Sequence, residues 1–264
     1  MQLNRDNYYS TEADQHYMSV SQYKKFLNCE EAALARLNGK YKEPKSDAFL
    51  FGSYVHSWLD GTIEQFKVEN PDLFSSKGAT KGQLKATYKL ADEMIEALEN
   101  DKFCMMALDG EKEVIQTADL FGIPWKIRID VHNPGAGRFA DLKTVADIYK
   151  KQWHQEYGFC SFVEAYGYIT QMAVYSEVER LNRGGDSWLE SYIVAVSKES
   201  PPNKEVITID EERLHQELEI VEEKIERIKL VKSGVEQPKR CEQCNHCRRT
   251  KKIKGVVHYM ELIG

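Results

Sequence analysis

The sequence predicts an α/β fold in which a mixed central sheet is flanked by helices and preceded by an all-helical part. Three observations lead to this prediction. Apolar residues recur with helical spacing through the first hundred residues. Apolar and polar residues alternate from about residue 113 to 144. After residue 144, helical and strand patterns follow one another along the sequence. We predict one domain over residues 1–264, with a helical part (1–110), an α/β core (111–235) and a cysteine-rich basic tail (236–264).

The helical part contains three segments with helical periodicity. We predict the first over residues 18–39, with Ser19 or Ser21 as its N-cap. The second spans residues 48–60 and ends at Gly61, because glycine is favoured just past a helix C-terminus. The third spans residues 80–100 and has a clear apolar face.

The core begins with a predicted three-stranded meander over residues 113–120, 123–132 and 137–144. Phe121-Gly122 and Asn133-Pro134-Gly135 supply the two turns. A helix over 161–183, strands over 188–197 and 205–209, and a charged helix over 210–233 capped by Asp210 complete the predicted order. Meander, helix and further strands in this order indicate a mixed sheet.

Composition and charge narrow the functional classes. The 264 residues carry a formal net charge of −6, which is not typical of a passive nucleic-acid-binding protein but does not exclude a nuclease with a local basic groove. No apolar run is long enough to span a membrane, and residues 1–9 do not resemble a signal peptide. We therefore expect a cytoplasmic protein without a membrane partner.

Two acidic residues and a lysine form the strongest chemical pattern. Ile127, Ile129 and Val131 would share one strand face, so Asp130 would point from the other. Asp141 and Lys143 share a face of the next strand, which would bring Asp130 beside Asp141. Two such carboxylates repel unless a cation such as Mg²⁺ or Mn²⁺ lies between them, and a lysine there can orient a water molecule. The alternative is a surface hairpin with ordinary charges.

The same residues belong to a longer series. Asp130 followed by Asp141-Leu142-Lys143 resembles the core motif of PD-(D/E)xK nucleases. Gln171-x-x-x-Tyr175 and Gly52-x-x-x-His56 resemble two further elements of the exonuclease branch of that superfamily. The complete series runs from His56 to Tyr175 and is most similar to RecE-type exonucleases of phages and prophages, including the exonuclease 8 group.

This resemblance implies a fold, a site and an activity. It implies a restriction-endonuclease-like core in which His56, Asp130, Asp141 and the Leu142 carbonyl bind a divalent metal, Lys143 positions the attacking water, and Gln171 and Tyr175 contact DNA or brace the site. The alternatives without a catalytic role are a partly buried core histidine at position 56 and simple helix packing by Gln171 and Tyr175. Glu111 and Glu113 lie at the start of the meander, where one of them could serve as an additional acid, but a solvated turn is favoured.

The implied activity is the 5′ to 3′ degradation of linear double-stranded DNA from its ends, in phage-type recombination. A RecT-like single-strand annealing partner and a homo-oligomeric assembly are implied with it. Two alternatives stay open: an endonuclease or CRISPR-associated-like nuclease of the same superfamily, and a non-catalytic zinc-bearing DNA-binding protein.

Six cysteines are present, and three of them, Cys241, Cys244 and Cys247, crowd into seven residues. Such spacing indicates a metal site, which needs a fourth ligand from elsewhere. Cys29 fills that place by resemblance to AddB-like nucleases, where one early and three late cysteines hold a [4Fe–4S] cluster. The spacing here is tighter than in those proteins, so zinc bound with His246 or His258, or reduced cysteines in a mobile tail, are alternatives. Cys104 and Cys160 are expected to be buried free thiols.

A set of lysines that precedes the α/β core in the sequence is a candidate DNA contact. Lysines recur every four residues and on a helix would form one basic stripe, comprising Lys77, Lys81, Lys85 and Lys89. The ordinary meaning of such a stripe is a solvated helix face.

Overall fold

A computed structural model describes residues 1–42, 47–154, 157–253 and 255–263. Its centre is a mixed five-stranded sheet with the strand order β1-β2-β3-β6-β7. The strands of this sheet are β1 (Glu111–Leu120), β2 (Ile123–Asn133), β3 (Arg138–Val145), β6 (Glu190–Ser197) and β7 (Lys204–Ile207). A separate two-stranded hairpin consists of β4 (Gln152–His154) and β5 (Gly158–Cys160). The predicted mixed sheet is confirmed.

One strand pair of the sheet is parallel. Strands β1, β2 and β3 form the predicted antiparallel meander, and β7 runs antiparallel to β6. Strand β3 pairs in parallel with β6, from Arg138 opposite Glu190 to Val145 opposite Ser197. The parallel pair requires a crossover, which is provided by the long helix between the two strands.

Helices cover both faces of the sheet. The described helices are α1 (Thr11–His16), α2 (Val20–Asn28), α3 (Glu30–Leu37), α4 (Asp47–Leu59), α5 (Ile63–Glu69), α6 (Ala86–Glu99), α7 (Lys102–Ala107), α8 (Phe162–Ala165), α9 (Tyr168–Arg183), α10 (Glu211–Lys232) and α11 (Asn245–Thr250). On one face α9 packs on β1 and β2, with α2, α3 and α10 around it, whereas α4, α6 and α7 pack on the other face. Each face has its own apolar core, around Ile127 and Met172 on the first and around Leu142 and Met94 on the second.

Two predicted helices are each divided into two in the structure, which also decides two predicted caps. The predicted helix over 18–39 is two helices, because Cys29 between them is extended at φ −166° and ψ 106°. Ser19, not Ser21, is the N-cap, and its side chain accepts a hydrogen bond from the Gln22 amide. The helix over 161–183 is interrupted at Gly167, which has a left-handed backbone. Asp210 stands at the N-cap of α10, but its side chain makes no capping hydrogen bond.

The third predicted helix starts later than expected. Helix α6 begins at Ala86, and the preceding residues form a 3₁₀ turn, Gly78–Thr80, and a loop. Gly78 and Gly82 have φ values of +73° and +80°, a conformation that ends a helical path. Within the described ranges no helix combines the length and apolar character that a bilayer crossing requires.

Candidate active site

The D-x-K motif lies on β3 in the middle of the sheet. Asp141 is buried, and its carboxylate forms an ion pair with the ammonium of Lys143. The side-chain amide of Gln171, on α9, donates a hydrogen bond to the other oxygen of Asp141. The structure therefore brings Asp141, Lys143 and Gln171 into one hydrogen-bonded group.

Burial controls the electrostatics of this group. Desolvation raises the pKa of Asp141, an effect that the Lys143 charge opposes and the Asp130 charge reinforces. The pKa of Lys143 is nevertheless raised, because the attraction of Asp141 and Asp130 outweighs the desolvation of the ammonium. Lys143 also lies over the Tyr168 ring, 4.8 Å from its centroid. The lysine is thus held as a cation within the site.

Asp130 lies on β2 where the sheet ladder is interrupted. The β2–β3 pairing extends from Asn133 opposite Arg138 to Val131 opposite Ala140. Asp130 and Asp141 come next, and the Asp130 carboxylate accepts a 2.8 Å hydrogen bond from the backbone amide of Leu142. This contact places Asp130 beside the D-x-K motif, as the hairpin argument predicted.

The side-chain alternation along β2 was predicted wrongly. Ile127 and Ile129 belong to one apolar core, whereas Val131 belongs to the core on the other side of the sheet. The physical reason is on the neighbouring strand: Glu113 has a left-handed backbone with φ 58°, and the β1–β2 pairs skip Glu113 and Asp130. A local break of this kind changes the face to which the following residues point.

His56 on α4 completes a set of metal-ligand types. Its Nδ1 is 3.5 Å from the nearer Asp130 oxygen, and its side chain is 27% exposed. Ligand atoms from His56, Glu113 and Asp130 lie within 4.8 Å of one another. Imidazole and carboxylate groups at this separation fit a divalent cation such as Mg²⁺ or Mn²⁺.

Of the two alternatives for Glu113, a solvated turn and an additional acid of the site, the solvated turn is wrong. The residue is 6% exposed and pairs with the guanidinium of Arg128. Burial raises the pKa of Glu113 to about 7, with the charge of Arg128 acting in the opposite direction and those of Asp60 and Asp130 adding to the rise. Sequence periodicity did not reveal this, because the left-handed backbone at Glu113 redirects its side chain.

The predicted ligands are not all in this group. Among the described residues, Asp141 does not join His56, Glu113 and Asp130, since its oxygens face Lys143 and Gln171. Leu142 contributes its amide to Asp130. A role for Asp141 and for the Leu142 carbonyl as metal ligands stays a prediction.

Tyr168 and Tyr175 on α9 and Lys24 on α2 lie near the D-x-K motif. Burial raises the pKa of Tyr175 well above its usual range, and the nearby carboxylates of Asp141 and Asp130 add to the rise. Lys24 on α2 donates a 3.0 Å hydrogen bond to the Tyr166 carbonyl and lies 5.7 Å from the Tyr168 ring centroid. Burial lowers the pKa of Lys24 to about 8, and the neighbouring charge of Lys143 acts in the same direction. Sequence analysis did not single out Lys24.

The predicted basic stripe does not form. Of its four lysines only Lys89 lies within α6, while Lys77 and Lys81 flank the 3₁₀ turn and Lys85 is the residue before the helix. Lys85 donates a 2.6 Å hydrogen bond to the Asp72 carbonyl instead of extending a helix face. The glycines at 78 and 82 are the physical reason, and the sequence contained that signal.

Four cysteines from two distant parts of the sequence lie together in the structure. Cys29 lies at the break between α2 and α3, and Cys241, Cys244 and Cys247 surround the start of α11. All four sulfur atoms lie within 4.8 Å of one another. The predicted convergence of these four residues is therefore present in the structure.

Comparison with known proteins places this geometry in a family. Residues 19–250 match a family model described as a PDDEXK-like domain of unknown function (DUF3799). The crystal structure of a protein from Eubacterium rectale, named a "putative exonuclease", superposes with a TM-score of 0.92 at 40% sequence identity, over 99% of this chain and 98% of that one. No curated protein matches the sequence.

These similarities confirm the predicted restriction-endonuclease-like fold and support a nuclease. The family model covers most of the chain, and the series His56, Asp130, Asp141-Leu142-Lys143 and Gln171 lies inside the matched range. The chain belongs to the PDDEXK-like family DUF3799.

Proposed function

We propose that this protein is a metal-dependent exodeoxyribonuclease that degrades linear double-stranded DNA. One observation carries the proposal: the Lys143 ammonium, the Asp141 carboxylate and the Gln171 amide form one hydrogen-bonded group, with Asp130 bonded to the same strand through the Leu142 amide. This arrangement holds a cation and a set of carboxylates where a phosphodiester and a water molecule can meet.

Each residue has a task in the proposed reaction. His56, Glu113 and Asp130 would hold a divalent cation, which supplies stabilisation of negative charge on the phosphate when bound. Lys143, kept protonated by Asp141, donates a hydrogen bond to the attacking water and orients it towards phosphorus. Gln171 fixes the Asp141 carboxylate, so that the ammonium of Lys143 stays in one place.

A groove beside the site supports a polyanionic substrate. It has a volume of about 860 Å³ and extends from Lys24 and Gly167, next to the D-x-K motif, to Arg240 and Cys241. Its other basic lining residues are Lys224 and Lys239, together with Arg213 and Arg227, which form ion pairs with Glu217 and Glu30 of the same lining. Lysines such as Lys24, Lys224 and Lys239 can neutralise phosphates along a strand, although the whole chain is acidic.

The finer activity rests on resemblance. The RecE-like motif series favours attack from DNA ends in the 5′ to 3′ direction during recombination. With it we propose a cytoplasmic location, a RecT-like annealing partner that takes the exposed single strand, and a homo-oligomeric state. An endonuclease or CRISPR-associated-like nuclease with the same residues is the second candidate, and a non-catalytic DNA-binding protein is the third.

The test is digestion of one DNA in two forms. A linear duplex labelled at a single 5′ or 3′ end and its covalently closed circle are incubated with Mg²⁺ or Mn²⁺ and, separately, with EDTA. We expect loss of the linear form only, and only with metal, with early release of the 5′ label. Early release of the 3′ label would reverse the proposed polarity.

Two other results would change the assignment. Cleavage of the closed circle would replace the exonuclease with an endonuclease. DNA binding without cleavage of either form, at any metal concentration, would contradict a catalytic function and favour the binding protein.

A further inference from the structure

We propose that Cys29, Cys241, Cys244 and Cys247 bind one Zn²⁺ ion, and that they do not hold the [4Fe–4S] cluster that AddB-like nucleases would suggest. The Sγ atoms of Cys29 and Cys247 are 3.5 Å apart, and those of Cys241 and Cys247 are 4.0 Å apart. All four lie within 4.8 Å of one another.

These separations match one tetrahedral ion. Zinc–thiolate bonds of about 2.3 Å place the four sulfurs of a tetrahedron about 3.8 Å apart. The thiolates of a [4Fe–4S] cluster lie outside a cube of irons and sulfides, at roughly 6 Å from one another. Because every separation here is within 4.8 Å, the cysteines are too close together to enclose a cluster.

The backbone around the cysteines suits thiolate ligands. The Cys244 amide donates to the Cys241 sulfur at 3.3 Å, and the Cys247 amide donates to the Cys244 sulfur at 3.4 Å. Hydrogen bonds of this kind favour the charged form of sulfur, which is the form that binds metal. The two-residue gaps of Cys241-x-x-Cys244-x-x-Cys247 allow each amide to reach the preceding thiol.

Among the described residues, the two histidines considered as zinc ligands do not belong to the group of four cysteines. His246 is buried, but its Nε2 faces the Glu31 carboxylate at 3.7 Å and its ring contacts Tyr41. The His258 ring nitrogen Nδ1 lies 3.4 Å from the Met260 amide in the last turn of the chain. Four thiolates and no open position are typical of a structural zinc site rather than a catalytic one.

The position of the site indicates what the ion would do. Cys29 interrupts the α2–α3 segment, and the other ligands lie more than two hundred residues later. Residues 241–250 bury little besides His246 and Cys247. A tail with so little apolar burial needs another source of order, and metal binding is such a source.

The test is metal analysis of the protein purified under argon without added metal. We expect about one zinc per chain, no inorganic sulfide and no brown colour. Cys247→Ser should lose the zinc, whereas Cys160→Ser, which alters a half-buried thiol outside the group, should keep it. Asp130→Asn should also keep the zinc, because Asp130 belongs to the proposed catalytic metal site and not to the cysteine group. The zinc content can therefore fail or succeed independently of the proposed nuclease activity.

Cobalt keeps the proposal testable if Cys247→Ser does not fold. Wild-type protein stripped with a chelator and refilled with Co²⁺ should show the visible absorption of tetrahedral cobalt thiolate. About four irons with sulfide, a single red thiolate-bound iron, or no metal together with a Cys29–Cys247 disulfide would each overturn the zinc assignment.

Discussion

At the scale of single residues, each charge in the site is defined by a neighbouring side chain, on the same strand, on another strand or on a helix. Lys143 stays cationic because of Asp141, and Asp141 is oriented by Gln171 from the following helix. Glu113 is drawn into the site beside Arg128 and Asp130. The site is therefore sensitive to single substitutions that leave the surrounding cores intact.

Lys143→Ala should abolish most cleavage and preserve folding. Loss of the ammonium that orients the water should lower the rate by roughly 10²- to 10⁴-fold. The measurement is the initial rate of linear duplex loss, together with DNA affinity and the circular dichroism spectrum. Lys102→Ala, at an exposed position on α7, is the matched control. A rate for Lys143→Ala within a few-fold of wild type would show that the site is assigned wrongly.

Glu113→Gln should weaken the binding of the divalent metal. The amide keeps the size of the side chain but removes a charged ligand, so the metal concentration for half-maximal activity should rise by about tenfold or more. Glu111→Gln changes an exposed residue two positions earlier on the same strand and should have no effect. Equal metal dependence of the two variants would leave His56, Asp130 and Asp141 as the ligand set and contradict a role for Glu113.

The raised pKa of Glu113 also predicts a pH dependence. Its folded-state pKa of about 7 lies above the ordinary 4.5, so the folded protein holds this proton more tightly than the unfolded chain does. Stability without metal should therefore fall as pH rises from about 4.5 to 7, and the cost should persist above pH 7. A bound cation offsets this cost, because it interacts with the ionised carboxylate.

Thermal unfolding with and without Mn²⁺ checks this dependence. We expect the rise in Tm caused by Mn²⁺ to be larger at pH 8 than at pH 6, and the difference to shrink in Glu113→Gln. An identical Mn²⁺ effect at both pH values in the wild type would refute the linkage.

At the scale of elements, the interrupted ladder between β1 and β2 is what assembles the site. Glu113 and Asp130 would otherwise be an ordinary cross-strand pair of like charges, which is destabilising. The left-handed backbone at Glu113 releases that pair from the ladder and lets Asp130 face the Leu142 amide. Such breaks are common beside active sites, where they redirect a side chain.

We expect Lys24 on α2 to contact DNA, because it lines the groove beside the D-x-K motif. Lys24→Ala should weaken DNA binding and reduce the slope of log affinity against log salt concentration by about 1, the value for one phosphate contact. The measurement is fluorescence anisotropy of a labelled duplex at several salt concentrations. Lys89→Ala on α6 is the control and should leave the slope unchanged. A reduced slope for Lys89→Ala alone would place the DNA along α6 instead of in the groove.

At the scale of the whole molecule, the two ends of the chain are joined at one place. The Glu30 carboxylate accepts hydrogen bonds from Arg227 on α10 and from the Lys239 amide, at 2.8–3.0 Å and 2.6 Å. The Glu31 amide donates to the Lys239 carbonyl at 3.1 Å. The cysteine group lies next to these contacts, so the start of α3 and the tail depend on one another.

Removal of the proposed zinc should free the tail for proteolysis. After treatment with a strong chelator, trypsin should cleave first at Lys239, Arg240, Arg248 and Arg249, and should leave the preceding part of the chain intact for longer. Mass spectrometry of the early products measures this order. Unchanged cleavage after the zinc has been removed would show that the tail is held without metal.

The sequence alone predicted a mixed α/β sheet, the meander and the residues of the D-x-K series. Those predictions depend on local signals, namely side-chain periodicity, turn residues and fixed motif spacing, which do not require knowledge of distant contacts. The breaks at Cys29 and Gly167 and the late start of α6 were missed, because packing and glycine conformation overrode a continuous helical pattern.

Only the tertiary structure decided the composition of the site. Glu113 enters it because of a backbone conformation that periodicity does not encode, and Lys24 enters it because α2 packs against α9. The separations among the four cysteine sulfurs likewise depend on how the tail returns to α3. Which residues can bind a metal together follows from the distances between residues that are remote in sequence. Those distances become short only once the two apolar cores have formed.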